Sequence, residues 1–94
     1  MRQLLIAKFF LTLKEASEIQ TEIDFGVLET EYESFACFLF KETAASKDTA
    51  VFHNILCFSR VEFTVLKTQT KLKKNVSVWI QKAIDLIDTQ IDFI

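Results

Sequence analysis

The chain contains no proline and a single glycine, Gly26. Sheets depend on tight turns, and tight turns draw heavily on those two residues. Their scarcity speaks against an all-β fold and favours a few long helices. It also excludes a Pro- or Gly-rich linker. Cysteine is scarce as well: Cys37 and Cys57 are the two present. That number builds no disulfide framework and fits reduced thiols in the cytoplasm. Neither charge sign dominates, since the formal net charge is -2. There is accordingly no global electrostatic case for nucleic acid or an anionic membrane surface. No apolar run approaches the roughly 20 residues of a membrane span. Arg2 and the apolar stretch Leu4 to Ala7 imitate the start of a secretory signal. Lys8 breaks that run and no clear cleavage site follows, so no signal peptide is expected.

What the chain has in excess is apolar material. Half of its 94 residues are hydrophobic, ten of them Phe. A chain of this length forms one domain spanning 1–94 and buries only a modest fraction of its surface. Hiding so much apolar surface is difficult for such a body alone. A homo-oligomer, with a dimer favoured, or a constant protein partner solves the problem.

The apolar residues recur at helical spacing. In the last quarter they fall at Val76, Ile80, Ala83, Ile87, Ile91 and Ile94, flanked by Trp79, Ile84 and Leu86. Steps of three and four mark a helix. At about 100° per residue this set covers an arc of roughly 160°. Gln81, Lys82, Asp85, Asp88, Thr89 and Asp92 take the other side. The first segment, Arg2 to Asp24, gathers Leu5, Ile6, Phe9, Phe10, Leu13, Ala16, Ile19 and Ile23 opposite its charges. Gly26 then reads as the residue just past a helix end, in a left-handed conformation.

The second segment runs from Val27 to Ala45, with Thr30 and Glu33 at capping-box spacing. Leu28, Tyr32, Phe35, Ala36, Leu39 and Phe40 form its expected buried face, and Phe38 falls among polar residues. Asp48 suits an N-cap for the third segment, Thr49 to Thr68. Val51, Phe52, Ile55, Leu56, Phe58, Val61, Phe63, Val65 and Leu66 cover most of that helix's circumference. It therefore sits centrally, or faces both its own bundle and a second subunit. A polar connection follows, and the last helix is expected to begin between Thr70 and Asn75. Four amphipathic segments with short links imply an all-α, antiparallel four-helix bundle. The alternative is an α+β fold with a strand near 61–70, because Val61 to Val65 also alternates like a strand.

Several groups are candidates for chemistry. Lys67, Lys71, Lys73 and Lys74 cluster ahead of the last helix, where lysines oppose the helix dipole and a phosphate would compensate. Asp85, Asp88 and Asp92 oppose it at the other end, where basic residues from neighbouring stretches would compensate. No helix with Arg, Asn or Gln at base-contact spacing accompanies the lysines, so sequence-specific reading is not expected. His53 and Cys57 lie four apart, side by side on a helix, with Arg60 nearby. A thiolate beside an imidazole can serve as nucleophile or half of a metal site. Zinc needs three or four ligands, so Cys37 would have to join them. Glu62 projects among Val51, Phe58, Val65 and Leu66, where a carboxylate needs a partner. Glu29 with Glu33, and Asp85 with Asp88, read as solvated faces. The Glu-x-x-His signature of carboxylate-bridged metal bundles is missing.

The expectation is thus a non-catalytic, cytoplasmic interaction protein, regulatory or adaptor in kind. It needs no metal and no cofactor, touches no membrane and acts as a homo-oligomer. Leu4, Leu11, Phe38, Cys57, Val61 and Val78 lie off the main apolar faces and are the expected interface. The alternative is a nucleic-acid-associated accessory protein using the four lysines. A Cys/His enzyme is a third class.

Overall fold

A computed structural model describes residues 4–18, 25–45, 49–69 and 74–93. They form four helices: α1 (Leu4–Glu18), α2 (Phe25–Ala45), α3 (Thr49–Lys67) and α4 (Lys74–Phe93). Thr68 and Gln69 are the described residues outside them, and no strand occurs among the described residues. The strand alternative near 61–70 therefore falls: residues 61–67 continue α3 without a break. Local β-branched alternation yields here to the longer helical period, which alone carries Phe52, Leu56, Phe63 and Leu66 to one side.

The helices build a bundle of 42 × 24 × 20 Å. α3 and α4 pack most extensively on each other. Two contacts give their relative direction: Arg60 pairs with Asp88, and Lys67, further along α3, meets Gln81, further back on α4. The two helices are antiparallel. α3 closes by tightening, since the Thr68 N–H donates to the carbonyls of both Thr64 and Val65. Within the helices, hydroxyls donate back one turn to backbone carbonyls, as Thr43 does to Leu39 and Ser59 to Ile55. This keeps them satisfied without a cap or turn.

The core runs along the bundle as one cluster. α1 contributes Ile6, Phe9, Leu13 and Ala16; α2 contributes Leu28, Phe35 and Leu39; α3 contributes Phe52, Leu56, Phe63 and Leu66. Val76, Ile80, Ala83, Ile84 and Ile87 come from α4. Three fully buried phenylalanines from three helices meet at its centre. Phe9 stacks on Phe35 at 5.1 Å between ring centroids, and Phe63 lies 6.3 Å from Phe9 and 6.0 Å from Phe35. Phe10 meets Phe63 edge-on at 5.4 Å. Offset and edge-to-face arrangements suit the ring quadrupole.

Three expectations change. Gly26 lies inside the first turn of α2, and no described glycine has a positive φ. It is part of a helix rather than the residue past a helix end; the described part of α1 ends at Glu18, and residues 19–24, including Ile19 and Ile23, lie outside the described residues. Thr30 is not an N-cap either, because its hydroxyl donates 2.8 Å to the Gly26 carbonyl within the helix. The third change exchanges two phenylalanines. Phe40 is exposed, whereas Phe38 is half-buried against the core. Leu28, Phe35 and Leu39 centre the buried face, and Phe40 stands about 100° beyond Leu39. Phe38, three residues from Phe35, leans back onto that face.

Candidate functional site: the α1–α3 face

α3 carries two apolar stripes. Phe52, Leu56, Phe63 and Leu66 enter the core together with Ser59, whose hydroxyl is satisfied by Ile55. The other stripe stays outside: Phe58 is 67% exposed, Val65 63%, Val61 60% and Val51 53%. The helix therefore buries one side rather than most of its circumference. The outer stripe is what remains of the expected second contact.

Next to this stripe an open groove of about 580 Å³ lies between α1 and α3. Ile6, Phe10 and Leu11 of α1 form one wall; Val51, Ile55 and Phe58 of α3 form the other. Its polar lining comes from Asn54, Ser59 and Glu62. Among the described residues Glu62 is the sole charged one lining it, and it is half-buried. Asn54 is exposed. Among the described residues neither Asn54 nor Glu62 has a side-chain hydrogen bond or ion pair.

Of the six expected interface residues, the structure places Leu11 in the groove and Val61 on the outer stripe. Cys57 is half-buried one turn before Val61. Phe38 belongs to the rim of the core on α2. Val78 is exposed on α4, turned about 160° from Val76, and does not line the groove. The Leu4 side chain lies outside the described part. Phe58, Val51 and Val65 complete the surface but were not among the six. Their signal was present in the sequence: 51, 54, 58, 61 and 65 repeat the alternating steps of three and four that mark a packing seam. The core set 52, 56, 59, 63 and 66 runs parallel to it.

The other candidates disperse. Cys57 Sγ lies 3.8 Å from both ring nitrogens of His53, but Arg60 turns away to Asp88. Cys37 is a free thiol exposed on α2, and Cys57 is also free. No group of three or more His, Cys, Asp or Glu that could hold a metal exists among the described residues. Lys67 Nζ donates to Gln81 Oε1, and Gln81 donates onward to Asp85 at 2.8 Å. Lys74 is exposed at the start of α4, while Lys71 and Lys73 lie outside the described residues. Compensation at the acidic end of α4 is present as expected, from Arg60 of α3 to Asp88 at 2.6 Å.

The Tyr32 phenol has its titration displaced upward. Burial raises its phenol above the ordinary 10.0, and the Asp85 carboxylate adds to the rise. It packs between Phe9 and Trp79, with Lys82 Nζ 4.6 Å from the Trp79 ring centroid. This cluster joins α1, α2 and α4, and none of these residues lines the groove.

No helix among the described residues is long and apolar enough to cross a membrane. No protein-family model matches the chain, and no curated protein or solved structure shows significant similarity to it.

Proposed function

We propose that this is a non-catalytic interaction protein, regulatory or adaptor in kind, that acts as a homo-oligomer through its α1–α3 face. One observation carries the reading: four large apolar side chains of α3 stand more than half exposed beside an apolar groove. Contiguous apolar surface on a small domain marks a contact site, whereas scattered exposed residues do not. Phe58 gives that surface a large aromatic centre of the kind that dominates interface energetics. Two free thiols fit work in the reducing cytoplasm.

The test is the solution mass by sedimentation at micromolar concentration, at low and high salt. A dimer indifferent to salt is expected, because apolar burial is not screened. Phe58→Glu and Val61→Glu should return it to the monomer with helical circular dichroism unchanged. A wild-type chain that stays monomeric throughout the concentration range defeats the proposal. Nucleic-acid contact through the lysines has less in its favour, since Lys67 is engaged with Gln81. Its mark would be binding to generic nucleic acid that weakens steeply with salt.

A further inference from the structure

We infer that the occupant of the α3 face is α3 of a second copy, running antiparallel about a two-fold axis at Phe58. The inference rests on the homo-oligomer proposed above and specifies its geometry. On α3, Val51 and Val65 lie seven residues either side of Phe58, and Asn54 and Glu62 lie four either side. At 100° per residue, the valines stand about 20° from the Phe58 direction and the polar pair about 40° from it. All five thus face one way, along about 21 Å of helix.

Antiparallel pairing about Phe58 gives each position a complementary partner. Phe58 meets its own copy on the axis. Val51 meets Val65 of the second copy, and Ile55 meets Val61. Asn54 comes level with Glu62, so an amide donor faces a carboxylate acceptor, and the symmetry makes that contact twice. A two-fold interface requires this self-complementarity. It also resolves the two polar groups of the seam, which have no side-chain hydrogen-bond or ion-pair partner among the described residues of their own chain. Burying a carboxylate without a donor is costly.

The competing occupants fit less well. A parallel second copy would set Glu62 level with Glu62 and Asn54 level with Asn54, placing like charges in one layer. An acyl chain with a carboxylate head would bring a second negative charge to a groove where Glu62 is the sole charged lining residue among the described residues. A single Asn within an apolar seam is a known device for fixing register, and here its partner four residues beyond the axis gives it a specific acceptor.

Disulfide trapping tests the register. Cys37→Ser and Cys57→Ser remove the native thiols, and the mass of that background is measured first. Single cysteines are then introduced by Phe58→Cys, Val51→Cys or Val65→Cys, and each protein is exposed to oxidised glutathione. A disulfide requires Cα atoms within about 7 Å. Phe58→Cys alone should give a covalent dimer. Val51→Cys alone and Val65→Cys alone should not, but their equimolar mixture should yield the crossed 51–65 product. The mixture retains Phe58, so it still reports if truncation at 58 weakens association. A dimeric background in which Val51→Cys links only to itself overturns the antiparallel register while the homo-oligomer stands. A dimer in which none of these positions links moves the interface elsewhere and overturns the inference in the same way. A monomeric background, matching a monomeric wild type, removes both.

Discussion

Arg60 of α3 holds its Nε 2.6 Å from the Asp88 carboxylate of α4. Two helical turns on, Lys67 reaches Gln81, which itself donates to Asp85. The polar rim of the α3–α4 contact thus follows one antiparallel register. It also places a positive charge against acids that would otherwise oppose the dipole near the end of α4.

That pair contributes modestly to stability. Both side chains remain substantially exposed, at 55% and 38%, and exposed ion pairs are worth about 0–1 kcal/mol. A double-mutant cycle of Arg60→Met and Asp88→Asn should show a coupling below about 1 kcal/mol that shrinks in high salt. A larger, salt-insensitive coupling would mean that the pair is desolvated by something outside the single chain.

The phenylalanine centre should behave differently. Phe9 is fully buried against Phe35, Phe63 and Tyr32. Phe9→Ala should cost about 3–5 kcal/mol, a large part of the total stability of so small a domain. Phe58→Ala, at an exposed position, should lower the unfolding midpoint of the monomer little. Denaturant titration at low protein concentration compares the two. Equal losses would contradict the assignment of one ring to the core and the other to the surface.

Gly26 supplies a test of backbone conformation. It sits in α2 without a positive φ, so alanine fits there without strain. Gly26→Ala should raise stability, by up to about 1 kcal/mol, because the unfolded chain loses freedom. A glycine in a left-handed position would respond with a loss instead. The sign of the change in thermal midpoint decides between them.

Tyr32 predicts an alkaline limit. Burial, and secondarily Asp85, raise its phenol above 10.0 in the folded chain. The folded state therefore holds this proton more tightly than the unfolded state. The resulting stability is fully present below pH 10 and is lost as pH rises through the folded-state value. Because the chain has one tyrosine, phenolate absorbance reports this site alone, and its midpoint should lie above 10. Tyr32→Phe should flatten the fall in stability above pH 10 relative to wild type.

The helices were legible because their signal is local. Apolar steps of three and four bracket α3 and α4 within a residue or two of their observed bounds, and the absence of proline leaves those runs uninterrupted. The core was legible where one stripe clearly outweighs the other face, as in Val76, Ile80, Ala83 and Ile87 of α4. It was less legible in α2, where Phe38 and Phe40 flank the same face and identical side chains give no sign of which is nearer a neighbour. Gly26 misled for a related reason: the tolerance of glycine for a left-handed backbone does not require it.

The sequence by itself determined four amphipathic helices and an excess of apolar surface, because helical periodicity is a property of each segment alone. Only the tertiary structure decided which of the two stripes on α3 enters the core. It seated Phe52, Leu56, Phe63 and Leu66 against the other helices and left Val51, Phe58, Val61 and Val65 outside. Burial depends on where neighbouring helices lie, and a single segment's pattern carries no record of that. The groove, the Arg60–Asp88 pair and the half-burial of Glu62 in the groove all follow from that packing.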